Sequence, residues 1–316
     1  MKKGYVYIGL AALLFSTMEI ALKLYSLGLN PLQLNFLRFA VGALILLPLA
    51  LSSVRKRGGV KPADLGFFAV TGFICVVVSM TLYQLGVMRC PASVVAVIFS
   101  CNPIFVAPLA AMILGERITW RTLAALGASL AGIVCIAAPA FLSAAGGGAK
   151  LDALGIILTV LSALTFAVYG VMGKARSARY GGVAMTCFSF IAGSIELLAC
   201  IGILNIAAVA NAMRAAGLGL FAAPPILAGL TLAGLPGFLY LAIFVTGLGY
   251  AFYFLGMEET SAQTGSIVFF IKPALAPVLA LLILGDKIPP LMLLGIALIL
   301  GGSGLLVLRG SGRRCR

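Results

Sequence analysis

Residues 100–119 read SCNPIFVAPLAAMILGERIT, and residues 270–289 read FIKPALAPVLALLILGDKIP. The two stretches lie 170 positions apart, with Pro103 on Pro273 and Gly115-Glu116-Arg117 on Gly285-Asp286-Lys287. Each is apolar and long enough to cross the ~30 Å hydrocarbon core of a bilayer. Each also carries a proline, which has no N–H, so the carbonyls of Phe99 and Phe269, four residues earlier, lose their helical partners. An unpartnered carbonyl in hydrocarbon costs several kcal/mol, so such a break persists only against protein or a water-filled cavity.

The rest of the chain has the same character. Of its 316 residues 62% are hydrophobic and 9% charged, against about 25% charged in a soluble domain. The mean hydropathy is +1.18. This is the composition of a polytopic membrane protein. The net charge of +14 does not point to nucleic acid, because Arg55-Lys56-Arg57 and Arg313-Arg314-Arg316 sit in loops and at the C-terminus rather than on one folded face. The seven cysteines lie mostly in apolar runs without CxxC or metal spacing, so neither disulfides nor a metal is expected. Met1-Lys2-Lys3 before an apolar run imitates a signal peptide. The run reaches about Leu24 without an A-x-A-like cleavage site, which predicts a retained first helix.

Breaks at polar, Pro and Gly positions predict an all-α integral membrane protein of ten helices. These run over 4–25, 31–53, 65–88, 91–114, 119–142, 152–174, 181–204, 236–257, 261–284 and 289–309. With the N-terminus in the cytoplasm, fifteen basic residues fall inside: Lys2, Lys3, Arg55, Lys56, Arg57, Lys61, Arg117, Arg121, Lys174, Arg176, Arg179, Arg309, Arg313, Arg314 and Arg316. Five fall outside: Lys23, Arg89, Lys150, Arg214 and Lys287. The bias places both termini in the cytoplasm of a cell (inner) membrane protein.

The quoted pair belongs to a longer repeat. LYQLG (82–86) aligns with FYFLG (252–256) at the same offset, Tyr83 on Tyr253. Earlier, AALLFSTMEIALK (11–23) aligns with SALTFAVYGVMGK (162–174) at an offset of 151, Phe15 on Phe166. The 19-residue difference marks an insertion, placed at 205–235. The chain therefore reads as two five-helix units over 1–142 and 152–310, joined by a linker at 143–151 and followed by a basic tail at 311–316. Five is odd, so the second unit is inverted in the membrane, the architecture of many secondary transporters with a midplane site.

Site candidates follow from depth and chemistry. Pro103 and Pro273 lie at roughly mid-membrane as structural breaks, preceded by Asn102 and Lys272. Glu19, Arg38, Glu196 and Lys272 are ionisable groups inside predicted spans, and such groups face the bundle interior and pair. Glu19 is four residues from Lys23 on one face; if Lys23 snorkels outward, Glu19 is left to titrate and is the candidate for proton coupling. Arg38 reads as a structural brace. Thr246, Tyr250 and Tyr253 share one face, as do Thr165 and Tyr169, while Tyr83 neighbours Gln84. Tyr83, Gln84, Asn102, Tyr169, Tyr250, Tyr253 and Lys272 form the substrate-binding candidates. Glu116 and Asp286 read as boundary charges.

Three stretches carry a resemblance: LNFLRFAVGALILLPLAL (34–51), ASVVAVIFSCNPIFVAPLAAMILGERIT (92–119) and SAQTGSIVFFIKPALAPVLALLILGDKI (261–288). In order and double occurrence they resemble the EamA-type branch of the drug/metabolite transporter superfamily. The resemblance implies ten helices, a central cavity between inverted halves, and export or exchange of small polar metabolites, often amino acids. Arg38 and Gly115-Glu116 match recurrent features; Phe190 near the Arg38-equivalent position and Asp286 for Glu116 depart from them. A secondary transporter, expected as an exporter acting as monomer or weak dimer with protons as candidate coupling ion, is the first reading. A lipid or lipid-linked-sugar flippase is the alternative. An enzyme is disfavoured, since the sequence has no His, no P-loop and no Ser-Lys or paired-Asp motif, and no cofactor is expected.

Overall fold

The computed structural model describes residues 2–18, 21–22, 29–90, 95, 98–145, 152–272, 275 and 290–307. They are helical, with turns between, and no strand occurs among them. The helices are α1 (Lys2–Ser16), α2 (Pro31–Lys56), α3 (Pro62–Arg89), α4 (Asn102–Leu114), α5 (Trp120–Ala145), α6 (Ala153–Tyr180), α7 (Gly182–Leu204), α8 (Ala207–Ala215), α9 (Leu232–Glu259), α10 (Ala262–Gly265) and α11 (Pro290–Val307). Five of them, α2, α3, α6, α7 and α9, are long and apolar enough to cross a membrane.

Local chemistry sets the ends. Asn30 Oδ1 accepts the Leu32 N–H at 2.9 Å and Pro31 opens α2, the arrangement that satisfies an orphan donor where a missing N–H costs nothing. Asp152 does the same for α6 through the Leu154 N–H at 2.9 Å. Gly115 ends α4 at φ 67, a left-handed conformation favoured by glycine. The stretch 98–114 is interrupted where Pro103 demands it. Cys101 forms a turn, its N–H returning to the Ile98 carbonyl at 3.0 Å, before α4 restarts at Asn102.

Two features depart from the sequence reading. The first span is interrupted rather than continuous: α1 ends at Ser16 with a turn at Thr17, and the described residues beyond it, Met18, Ala21 and Leu22, are helical again, the Ala21 N–H returning to the Thr17 carbonyl at 2.9 Å, while residues 19–20 and 23–28 lie outside the described set. α3 and α9 are not uniform α-helices. Each contains a π-helical segment, Phe73–Ser79 and Tyr240–Leu248. Residues 73–78 correspond to 243–248 at the offset of 170, so the irregularity recurs at matching places in the two halves. Such segments occur often at functional sites.

Close backbone approaches recur in the same way. α2 packs on α9 at Gly42, where an added Cβ would come within 2.9 Å of the Ala242 carbonyl. α7 packs on α3 at Gly193, where a Cβ would meet the Gly72 carbonyl at 2.5 Å. Gly193 stands 151 residues after Gly42, and Ala242 stands 170 after Gly72, so one crossing is the counterpart of the other.

The 205–235 segment is ordered into α8 and two 3₁₀ turns, Gly219–Phe221 and Leu232–Gly234. It is tied to the start of α2, since Asn30 Nδ2 donates to the Leu220 carbonyl (3.0 Å) and Gln33 Nε2 to the Ala228 carbonyl (2.8 Å).

Candidate functional site

The buried middle of the bundle is an aromatic cluster assembled from α1, α2, α3, α6, α7 and α9 together with the helical segments around Phe99 and Phe269. Phe15 of α1 meets Tyr250 of α9 edge-on at 5.0 Å and Phe269 at 6.1 Å. Phe166 of α6 meets Phe99 at 5.4 Å, Tyr250 at 5.7 Å and Phe269 at 5.4 Å. Tyr83 of α3 packs on Phe99 at 5.0 Å, and its counterpart Tyr253 packs on Phe269 at 5.7 Å. Phe39 of α2 meets Phe190 of α7 at 4.6 Å. Offset aromatic pairs of this kind are worth about 0.5–1.5 kcal/mol each beyond their burial.

Several contacts join repeat counterparts directly. Phe99 meets Phe269 at 5.7 Å, and Phe39 meets Phe190, its counterpart at the offset of 151. The Tyr250 hydroxyl donates to Met80 Sδ at 3.3 Å, and these two are counterparts at 170.

Two cations enter this cluster. Lys272 is 1% exposed, and its Nζ lies 5.9 Å from the ring centres of both Tyr83 and Phe99. Arg38 is also 1% exposed. Its Nε and Nη2 donate to Asn35 Oδ1 at 3.1 and 2.8 Å, and its Nη1 approaches Met18 Sδ at 3.9 Å. The guanidinium lies over the Phe39 ring at 4.8 Å. Asn35 is held in turn, donating from Nδ2 to the Val76 carbonyl in the π segment of α3 at 3.2 Å. The corresponding segment of α9 is braced from within, Thr246 Oγ1 donating to the Leu241 carbonyl at 2.9 Å.

Of the substrate-binding candidates, Tyr83, Tyr169, Tyr250, Tyr253 and Lys272 are brought together here. Tyr169 joins through Phe166 at 5.7 Å and Phe254 at 5.2 Å, and its buried hydroxyl lies against the Cys75 thiol of α3. Asn102 is buried and donates to the Ala163 carbonyl at 2.7 Å, tying α4 to α6, with its Oδ1 left over. Gln84 is buried with Nε2 unpartnered. The two threonines expected beside the tyrosines bond backbone instead: Thr246 as above, and Thr165 to the Leu161 carbonyl at 2.8 Å. Glu19 and Pro273 lie outside the described residues, while Pro103 sits buried in the first turn of α4. Glu196 has a buried Oε2 without a partner and no link to the cluster.

The phenylalanines were not singled out as site residues, because phenylalanine in an apolar run is indistinguishable from core. Their repeat pairing was the available signal: 15 with 166, and 99 with 269.

One end of the bundle is closed by polar contacts. Arg57 pairs with Glu258 Oε1 at 2.8 Å and donates to the Ala178 carbonyl at 2.8 Å. Glu258 Oε2 accepts the Gly182 N–H at 2.7 Å, and Lys174 donates to the Met257 carbonyl. Glu116 accepts the N–H groups of Ala262 (2.8 Å) and Gln263 (3.2 Å), where α10 begins. Glu116 is thus a helix-end acceptor as well as a boundary charge. Elsewhere Arg89 pairs with Asp152 at 2.8 Å. The Arg89 hydrogen bond, helped by the Leu154 and Gly155 N–H groups, holds the Asp152 carboxyl below the usual carboxylate range.

An all-helical bundle with membrane-length apolar helices and buried cations in an aromatic interior defines a polytopic membrane protein. The EamA-like transporter family matches residues 2–138 and 153–308, and the chain belongs to that family, whose members are transporters and not enzymes. A transporter of Clostridium kluyveri, itself uncharacterised, is 37% identical over 96% of this chain and 92% of its own length. A Streptantibioticus cattleyicolor protein described as a probable terminal-alkyne amino-acid exporter is 27% identical over 91% of this chain and 86% of its own. A solved crystal structure superposes with a TM-score of 0.74 at 19% identity, covering 98% of this chain and 97% of that one, which shows a shared fold.

Proposed function

We propose that this chain is a secondary transporter, acting as an exporter of a small polar metabolite of the amino-acid type. On this reading it has ten membrane-spanning helices in two inverted five-helix units, and alternating access operates through their shared centre. The observation that carries the reading is the buried aromatic cluster, built by counterpart residues of both halves and holding Lys272 against Tyr83 and Phe99. Repeat-matched π segments, repeat-matched glycine crossings and counterparts in direct contact support a two-fold relation between the halves. The amino-acid class rests on the description of the Streptantibioticus relative. A flippase calls for basic residues along a lipid-facing cleft; the buried placement of Arg38 and Lys272 favours an enclosed metabolite site.

Purified protein reconstituted in liposomes, challenged with amino acids, nucleosides and organic acids, tests this directly. Amino acids should be carried, and Lys272→Met should abolish transport while leaving a folded protein. Carriage of lipid alone would refute the metabolite reading. Topology is tested by single-cysteine labelling at Lys56, which is exposed, and Asn211. The two sites should report opposite faces, and labelling from one face would end the inverted-repeat reading. Proton coupling through Glu19 predicts that Glu19→Gln keeps counterflow and loses the response to an imposed pH gradient.

A further inference from the structure

Arg38 is an expensive way to brace a helix. Taking an ion out of water costs several kcal/mol, and burial is recovered only when a counter-charge or a full set of acceptors receives it. Guanidinium has five N–H donors. Two go to the single oxygen Asn35 Oδ1, and one nitrogen approaches a thioether, a weak acceptor, at 3.9 Å. Among the described residues no carboxylate lies within 4 Å of it. A ring face at 4.8 Å supplies part of what is missing. The charge is oriented, through Asn35 and the Val76 carbonyl, yet not neutralised by any of the described residues.

The orientation is informative. Asn35 takes the Nε side of the fork, and the Nη1–Nη2 edge is left towards Met18, within electrostatic reach of Tyr250 and Tyr83. That edge matches the two oxygens of a carboxylate, which an Arg fork binds bidentately and a lysine does not. Tyr83 also borders Lys272, so an anion at this edge would feel both buried cations. The neighbouring faces of Phe15, Phe166 and Tyr250 are suited to a compact apolar body.

We propose that Arg38 is the carboxylate-docking residue of the central site, and that the transported class is small organic carboxylates with a compact apolar body, amino acids among them. This rests on the transport reading above and replaces the expectation of a purely structural arginine.

The test uses matched probes: L-norvaline, its deaminated acid pentanoate, its carboxamide norvalinamide and its decarboxylated amine butylamine. Binding is measured on the full chain in nanodiscs, and transport in liposomes. Wild type should bind norvaline and pentanoate at least tenfold more tightly than the amide or the amine. Arg38→Lys, which keeps the charge and loses the fork, should weaken both acids about tenfold and shrink the acid-over-amide preference in a protein that still unfolds cooperatively, its two-donor hold on Asn35 Oδ1 being lost. Should that variant fail to fold, Met18→Glu serves: it places a tethered carboxylate beside Nη1 and should suppress binding of both acids in a stable protein. A brace without a docking role predicts acid binding unaltered in either variant, and that result overturns the proposal. So does equal binding of acid and amide by wild type, or binding of neither acid. Arg38-dependent acid binding without transport would leave this inference standing and remove the transport reading for these compounds.

Discussion

α3 and α9 share a plan and differ in what they carry. Both are long apolar helices with a π segment just before a tyrosine, Tyr83 in one and Tyr253 in the other. In α3 the segment turns its Val76 carbonyl outward to Asn35 and so to Arg38 of α2. In α9 the segment is closed on itself by Thr246 and receives no charged neighbour from α7, where Ser189 holds the place of Arg38 at the offset of 151. The second half supplies its cation elsewhere, at Lys272, where the first half has Asn102. On the inverted-repeat reading proposed above, the scaffold was preserved while the polar groups diverged, which is what an asymmetric substrate would require of a two-fold frame.

The matched crossings offer the hardest test of that frame. Gly193→Ala drives a Cβ to within 2.5 Å of a carbonyl and 2.7 Å of Val76 Cβ, whereas Gly42→Ala meets its carbonyl at 2.9 Å. Overpacking of this kind costs about 1–3 kcal/mol. Gly193→Ala should therefore lower the melting temperature in detergent more than Gly42→Ala, and a reversed order would break the packing comparison.

The π segments come next. Asn35→Ala strips a buried charge of its oriented acceptor and should cost about 1.5–3 kcal/mol, while Thr246→Ala removes a neutral bond worth about 1 kcal/mol. Thermal unfolding of both variants measures the gap, and equal losses would show that Arg38 is not held through α3. Glu116→Gln retains acceptor geometry at only one oxygen for the Ala262 and Gln263 N–H groups. It should produce a smaller loss of stability and faster amide hydrogen exchange confined to the start of α10.

The smallest effect belongs to Asp152. A carboxyl held below its unfolded value of about 4 adds stability above that pH and loses it as pH falls through the lower folded value. Acidification through that window should therefore remove a small increment of stability from wild type and none from Asp152→Asn. The pair is half-exposed, so the increment should also fade with salt. A salt-independent loss would contradict the assignment to Arg89.

Much of the fold was legible because the bilayer imposes lengths on helices and the repeat supplied an internal control. The Pro103 break was readable from proline's missing N–H. The π segments were not, since FICVVVS and YLAIFVTGL have the same apolar character as any α-helical span. Within the site, Tyr83, Tyr169, Tyr250, Tyr253 and Lys272 were found by polarity in an apolar setting, which also exposed Arg38. Its charge was visible, but the absence of a carboxylate beside it among the described residues was not, because that depends on which helices surround α2. The threonines misled for a related reason: a hydroxyl on a helix is as easily spent on its own backbone as on a ligand.

The contacts between counterparts carry a historical consequence. Under the inverted-repeat reading, a half-length ancestor working as an antiparallel pair would have met its own copy at these positions. A phenylalanine can do that, edge to face, and Phe39 with Phe190 and Phe99 with Phe269 still do. Met80 with Tyr250 cannot descend unchanged from such a self-meeting position. That unlike pair required two separately heritable codons, so on this reading the hydroxyl–thioether contact postdates the duplication that gave the two halves separate sequences.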